Sequence, residues 1–94
     1  MPKESTLTKK VLGYLNNLPQ CKAIKIHGNA YTEAGTPDIA GCIRGRAFFI
    51  ELKVPGETPT LIQRKRISEW QAAGAVSGWA TSLEEVVELL KNIM

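Results

Sequence analysis

In the N-terminal part of the chain, the spacing between apolar residues changes once. Over residues 4–18 they recur at intervals of three and four, which predicts an amphipathic helix with Glu4 in its first turn. Its inner stripe consists of Leu7, Val11, Tyr14, Leu15 and Leu18. Residues 20–27 alternate instead, which predicts a strand with one solvent-facing side. The alternation puts Ile24 and Ile26 on one face, and Lys25 and His27 on the wetter one.

A breaker-rich loop at residues 28–37 precedes two short apolar runs that are separated by Arg44-Gly45. A residue-glycine pair between apolar runs predicts a β-hairpin with a two-residue turn. Pro55-Gly56 ends the second strand. Thr58 followed by Pro59 then predicts an N-cap and the first position of a helix that runs to about Ala73. Its inner side would carry Gln63, Ile67, Trp70 and Gly74.

The C-terminal part predicts a short strand over residues 75–80 and a last helix. Ser82 and Glu85 have the spacing of a capping box at the start of that helix. Its inner stripe is Leu83, Val86, Val87, Leu90 and Ile93. The complete order is αβββαβα, which predicts an α/β fold with a mixed sheet flanked by helices and a C-terminal helix.

Length and composition narrow the class of protein. The 94 residues are expected to form a single domain, residues 1–94, with a thin core that oligomerisation would help. The apolar runs are far shorter than the ~18 residues of a membrane span, and no signal peptide begins the chain, so we expect a cytoplasmic protein with no membrane partner. Cys21 and Cys42 cannot form a disulfide framework, and we expect both to be buried thiols; Trp70 and Trp79 are expected in the core.

The charge is distributed unevenly. Residues 1–66 hold 11 Lys/Arg and 5 acidic residues, a balance of +6, whereas residues 67–94 hold one Lys and four Glu, a balance of −3. A basic surface on a small domain suggests a polyanion such as nucleic acid, although a solvated basic face is an equally simple interpretation. The candidates for phosphate contacts are Lys9, Lys10, Lys22, Lys25, His27, Arg44, Arg46, Arg64, Lys65 and Arg66, with His27 also explained as a plain surface residue.

The predicted hairpin places acidic residues together. A two-residue turn at Arg44-Gly45 pairs Asp38 with Glu51, and directly opposed residues share a face of the sheet. Lys53 lies two residues beyond Glu51 and shares that face as well. If the turn were shifted by one residue, Asp38 would face Lys53 and Glu51 would lie diagonally. Either register brings the three charged side chains to one end of the sheet.

Opposed carboxylates destabilise a hairpin unless something neutralises them. Mg²⁺ prefers oxygen ligands and is typically held by one or two carboxylates, so Asp38, Glu51 and the backbone carbonyl of Leu52 would suit it. Such a cation activates water and neutralises charge on a phosphate, and Lys53 would orient that water or stabilise the transition state. The alternative is a surface ion cluster of Asp38, Glu51 and Lys53 without a metal.

Pro37-Asp38, twelve intervening residues and then Glu51-Leu52-Lys53 resemble the PD-(D/E)XK nuclease signature, in the αβββαβ order of the restriction-endonuclease-like core. The neighbouring segments are similar to those of the virus-type replication-repair nuclease (VRR-NUC) family, and the resemblance covers nearly the whole chain. These segments are Gly35-Thr-Pro-Asp-Ile-Ala-Gly41, Arg44-Gly45-Arg46, Ile50-Glu-Leu-Lys-Val-Pro-Gly56 and Thr60-Leu-Ile-Gln63.

The resemblance implies further site residues. It adds Glu4, from the first helix, as a catalytic residue and possible metal ligand, and Gln63 as an active-site residue. The residues themselves offer a second role for Gln63, because Thr60 and Gln63 also have the spacing of a capping box.

The resemblance also implies a function. The expected protein is a Mg²⁺- or Mn²⁺-dependent DNA endonuclease of the Holliday-junction-resolvase type. It would act as a homodimer on branched DNA in a bacterial or phage-infected cell. The alternatives are a non-catalytic nucleic-acid-binding module on the same fold and a protein-interaction domain, and within the enzyme class an RNA or flap substrate.

Overall fold

The computed structural model describes residues 4–94, which form seven elements in the predicted order. The helices are α1 (Glu4–Leu15), α2 (Leu61–Ala72) and α3 (Leu83–Leu90), and the strands are β1 (Cys21–Lys25), β2 (Ile39–Ile43), β3 (Arg46–Leu52) and β4 (Val76–Ala80). The four strands form one mixed sheet in the order β1-β2-β3-β4. The first three are antiparallel neighbours, whereas β4 is parallel to β3 and is reached through α2.

The β2-β3 hairpin has the predicted turn and register. Arg44 and Gly45 both have positive φ, 49° and 84°, as the two central residues of a type I′ turn require. Ile43 is therefore paired with Arg46, and Ile39 with Ile50. One further step brings Asp38 opposite Glu51.

The core lies between one face of the sheet and helices α1 and α3. Its fully buried side chains come from every element except α2, and they are Val11, Leu15, Ala23, Ile39, Ile43, Phe48, Ile50, Leu52, Ala80, Val86 and Leu90. Phe48, Ile50 and Leu52 point into this core, on the face of β3 opposite to Glu51. Gly41 is required on this face because a Cβ there would collide with the Phe48 ring and the Lys22 backbone carbonyl.

Helix α2 covers only the β3-β4 half of the opposite face. Its Ile67 is buried, and its Trp70 stacks on Phe49 of β3 with ring centroids 3.7 Å apart. Trp70 remains 37% exposed, so the prediction of a core tryptophan is wrong for this residue. The β1-β2 half of the face stays open to solvent.

That open half overturns two predictions. Ile24 is 53% exposed, and Ala23 is the buried residue of β1, because alternation defines two faces but does not show which one a helix covers. The predicted burial of the thiols is also wrong, since Cys42 is exposed on the open face and Cys21 is partly exposed. Among residues 4–94 no helix is long and apolar enough to cross a membrane.

Helix α2 begins two residues later than predicted. Thr60, not Thr58, is the N-cap, and its hydroxyl accepts the Gln63 backbone N–H while Gln63 Oε1 accepts the Thr60 N–H. The reciprocal capping box explains the shift, because Thr60 alone has Gln63 at the third helical position. At α3, Ser82 caps the Glu85 N–H as predicted, but the Glu85 carboxylate binds Thr81 instead of the Ser82 backbone.

Candidate active site

The predicted acidic residues meet at the end of the sheet opposite the Arg44-Gly45 turn. Asp38 directly precedes β2, Glu51 lies at the penultimate position of β3, and Lys53 directly follows β3. The loop over residues 28–37 therefore leads into the site, and the strand pairing brings the charged side chains together.

Asp38 is held from two sides. Its Oδ2 accepts the Leu52 backbone N–H at 2.9 Å. The carboxylate thus takes the place of the next backbone hydrogen bond between β2 and β3. Its Oδ1 accepts a hydrogen bond from Lys25 Nζ at 3.1 Å, and the Asp38 side chain is 15% exposed. Because N–H and C=O of one residue point to the same edge of an extended strand, the Leu52 carbonyl also lies on the Asp38 side.

Glu51 is a buried carboxylate, only 2% exposed. Its Oε2 accepts a hydrogen bond from Gln63 Nε2 at 3.1 Å and lies 3.4 Å from Lys53 Nζ. Its Oε1 is buried and has no hydrogen-bond partner among the residues that the structure describes. On β4 its paired residue is Trp79.

The environment of Glu51 favours its neutral form. Burial, the largest cause, and the nearby Asp38 charge together raise the pKa of Glu51 to about 7, against the opposing effect of Lys53. Two ionised carboxylates repel each other, so the arrangement is more favourable when Glu51 holds a proton. The pair therefore stores repulsion that a cation can relieve.

Gln63 caps α2, as its spacing predicts, and it also contacts Glu51. Its Oε1 caps α2 through the Thr60 N–H at 2.9 Å, while its Nε2 donates to Glu51. An inverted amide would lose both hydrogen bonds, so the two contacts fix the orientation of the side chain. Through Gln63 the start of α2 is tied to the buried carboxylate.

Glu4 brings a third carboxylate to the site from the first turn of α1. Burial and the charge of Asp38 raise the pKa of Glu4, and Lys53 and Lys25 lower it. Glu4 therefore lies close enough to Asp38 to be affected by its charge, and its role in the site stays a prediction from the family resemblance. It is partly exposed, unlike Glu51.

Lys25 belongs to the site rather than to a remote phosphate-binding surface. It was predicted only as a DNA contact, but its ammonium pairs with Asp38 at 3.1 Å. Sequence reasoning missed this because the thirteen-residue connection between β1 and β2 does not determine their register. The signal was the position of Lys25, the last polar residue of β1, since that strand end must adjoin the start of an antiparallel β2.

The other basic candidates fall into three groups. Exposed Arg64 and Lys65 directly follow Gln63 on α2, and Lys9 and His27 line a shallow depression with Lys25. The second group, Arg44 and Arg46, lies five strand positions from the acidic end, about 17 Å away. In the third group are Lys10 and Lys22, which are exposed elsewhere, and Arg66, whose guanidinium is engaged by Glu33 and Glu69 rather than free for phosphate.

The donor set fits a hard divalent cation of the Mg²⁺ type. Within residues 4–94 no three His, Cys, Asp or Glu side chains are grouped to enclose a metal. Mg²⁺ does not need such a cage, because one or two carboxylates suffice when water and substrate oxygens complete its shell. The unpartnered Glu51 Oε1 beside Asp38 is the atom in the described structure that most clearly lacks a positive partner.

Comparison with solved structures identifies the fold. The chain is similar to a structure described as "VRR_NUC domain", with a TM-score of 0.79, 21% identity and complete coverage of both chains. A second, described as "VRR_NUC domain protein", gives a TM-score of 0.75 and 18% identity over 98% of this chain and 88% of the other. No protein-family model and no curated protein matches the sequence. The chain therefore has the VRR-NUC nuclease fold.

Proposed function

We propose that this protein is a VRR-NUC family member and a Mg²⁺- or Mn²⁺-dependent endonuclease that hydrolyses DNA phosphodiester bonds. The observation that carries the proposal is the buried Glu51, with one unpartnered oxygen, next to Asp38. A protein that only binds nucleic acid would not need these two carboxylates, because they repel each other and also repel phosphate. The shared fold supports the same conclusion.

Asp38, Glu51 and the Leu52 carbonyl would hold the cation, which supplies an activated water and neutralises charge on the phosphate. Lys53, whose side chain is 14% exposed and whose Nζ lies 3.4 Å from Glu51 Oε2, would orient the attacking water and stabilise the charge of the transition state. Gln63 positions Glu51. Glu4 would bind solvent beside Asp38, and Lys25 would neutralise Asp38 and hold it in place.

The substrate we propose is branched DNA, cut by a homodimer. Arg64 and Lys65, which are exposed and directly follow Gln63 on α2, would bind backbone phosphates. Each chain holds one acidic site, and a two-fold dimer would present two of them to a junction of matching symmetry. The cellular role would be phage or bacterial DNA replication, repair or recombination, in the cytoplasm.

A panel of linear, nicked, flap and four-way DNA substrates tests the activity. We expect cleavage with Mg²⁺ and Mn²⁺, none with EDTA, and the highest rate on the four-way junction. Salt-dependent binding without cleavage under any of these conditions would instead select the non-catalytic binding module. Cleavage of RNA in preference to DNA would show that the substrate is RNA, and the proposed metal site would still stand.

The dimer makes its own prediction on the same panel. Light scattering at micromolar concentration should give twice the monomer mass, and a junction should receive paired nicks at symmetry-related positions. Affinity for the junction should also fall more steeply with salt than affinity for linear duplex, because two subunits neutralise more phosphates. A monomer that cuts flaps and ignores junctions would refute the dimer and leave the nuclease assignment intact.

Lys53→Ala should lower the single-turnover cleavage rate by roughly 10²- to 10³-fold, the usual effect of removing one transition-state stabilising group. DNA affinity should change far less, since the interaction is made mainly in the transition state. Lys65→Ala is the matched control: this exposed lysine should affect affinity and reduce the salt dependence by about one phosphate, with the rate at saturation unchanged. Equal losses of rate and affinity in Lys53→Ala would make Lys53 a phosphate anchor only.

A further inference from the structure

Tyr31 is the most exposed large apolar side chain in the part of the chain that the structure describes, at 98% of its surface. Single exposed apolar residues are common on proteins and need no function. Tyr31 differs from an ordinary surface residue in the way its loop is built and in where that loop begins and ends.

The backbone on both sides of Tyr31 is fixed by a small turn. Asn29 Oδ1 accepts the Tyr31 N–H at 2.8 Å, and the Asn29 carbonyl accepts the Thr32 N–H at 3.1 Å. In return Thr32 Oγ1 accepts the Asn29 N–H at 3.1 Å. Asparagine and threonine side chains close such turns by replacing backbone partners. The turn therefore holds the tyrosine at its tip with a defined backbone direction.

The following residues fasten the loop to α2. Arg66 Nε donates to the Ala34 carbonyl at 3.0 Å and pairs with Glu33 at 2.9 Å. Gly35 has a φ of 81°, and a Cβ there would lie 2.8 Å from the Ile62 carbonyl oxygen, so glycine permits the contact. Ile62 directly precedes Gln63, so the loop rests on the turn of α2 that contacts Glu51.

Both ends of the loop lie in the acidic site. It leaves β1 after Lys25 and reaches β2 at Asp38, and these two residues are joined by the 3.1 Å ion pair. Tyr31 lies within this loop, and Lys9 and His27 line a depression with Lys25 where the loop begins. An aromatic ring on a loop that starts among basic side chains is the combination that binds unpaired nucleotides, since bases stack on the ring and cations track the backbone.

We propose that Tyr31 is a stacking platform for one unpaired nucleobase of the substrate, beside the phosphate to be cut. This inference rests on the proposed nuclease function and adds to it a preference for DNA with unstacked bases at the cleavage site. A fully paired duplex would offer no free base face to the ring except at its ends.

Binding in EDTA, without cleavage, tests the platform. The probes are a duplex with a single-stranded tail that carries 2-aminopurine where the tail begins, and a fully paired duplex of equal length whose two ends are closed by non-nucleotide linkers. Tyr31→Ala should weaken binding of the tailed probe roughly five- to a hundredfold and leave the closed duplex within about twofold. Tyr31→Phe keeps the ring and should behave as wild type, whereas Tyr31→Leu keeps apolar bulk and should resemble alanine.

The fluorescence of 2-aminopurine gives an independent readout, because stacking on an aromatic ring quenches it. Quenching by the wild type and Tyr31→Phe, but not by Tyr31→Leu, is expected. Equal affinity of all four proteins for the tailed probe, or equal losses on both probes, would overturn the platform. If either of these results accompanies normal cleavage, the platform is refuted and the proposed nuclease function stands. If binding depends on Tyr31 but the protein never cleaves DNA, the nuclease function is refuted and the platform stands. Unchanged thermal unfolding would show that the variants are folded.

Discussion

Asp38→Asn and Glu51→Gln should each abolish DNA cleavage, with a loss of at least ~10³-fold in single-turnover rate. A neutral amide is a poor ligand for Mg²⁺, and the cation contributes several kcal/mol to phosphodiester hydrolysis, about tenfold in rate for each 1.4 kcal/mol. Gel assays with excess enzyme measure the rate. Glu57→Gln is the matched control, because Glu57 is an exposed carboxylate that contacts none of the site residues described above.

Both variants should remain folded, for reasons that can be traced atom by atom. An asparagine at position 38 can still accept the Leu52 N–H through its amide oxygen, although it loses the ion pair with Lys25. A glutamine at position 51 can still accept from Gln63. Near wild-type cleavage by either variant, in a protein with an unchanged circular dichroism spectrum, would show that this carboxylate pair is not the metal site.

Glu51→Gln should also stabilise the protein in metal-free buffer, and increasingly so as the pH rises. The pKa of Glu51 is about 7 in the folded protein and near 4.5 when the chain unfolds. Between these values the folded state binds more protons, so the free energy of unfolding of the wild type falls as the pH rises through this interval. We therefore expect Glu51→Gln to be more stable than the wild type by roughly 3 kcal/mol above pH 7, and equally stable below about pH 4.

Urea unfolding from pH 4 to pH 9 in EDTA measures the effect. The stability difference between Glu51→Gln and the wild type should widen up to about pH 7 and then stay constant. Addition of Mg²⁺ at pH 8 should stabilise the wild type and not the variant, because a ligand stabilises only the state that binds it. Parallel curves for the two proteins over the whole range would show that Glu51 is not held in the protonated form.

The hairpin shows how far the sequence could lead. Arg44-Gly45 determines a turn type, the turn determines a register, and the register brings Asp38 opposite Glu51, as the structure has it. Each step is local, so no knowledge of the remaining chain was needed. The same holds for the Thr60-Gln63 capping box, whose spacing is explicit in the sequence.

Features that depend on distant elements were predicted poorly. Ile24 was placed on the wrong side because its burial depends on the position of α2. This helix docks through Trp70 on Phe49 and leaves the face that carries Ile24 open to solvent. The role of Lys25 was missed because it depends on the β1-β2 register, which the thirteen-residue connection over residues 26–38 leaves undetermined. The misplaced N-cap is a different, local case, because Thr58-Pro59 and Thr60 are both plausible helix starts and the capping box of Thr60 with Gln63 decides between them.

The topology of the sheet has a consequence for the order in which the site forms during folding. Strands β1, β2 and β3 are consecutive neighbours, so Lys25, Asp38 and Glu51 are brought together by contacts close in sequence, which form fastest. Helix α2 and β4 join only after the chain has crossed back over the sheet. We therefore expect the two carboxylates to meet while still in water, where their repulsion is weak, and the docking of α2 to dehydrate them last. Slow folding steps should accordingly be sensitive to pH and to Mg²⁺, whereas formation of the meander should not.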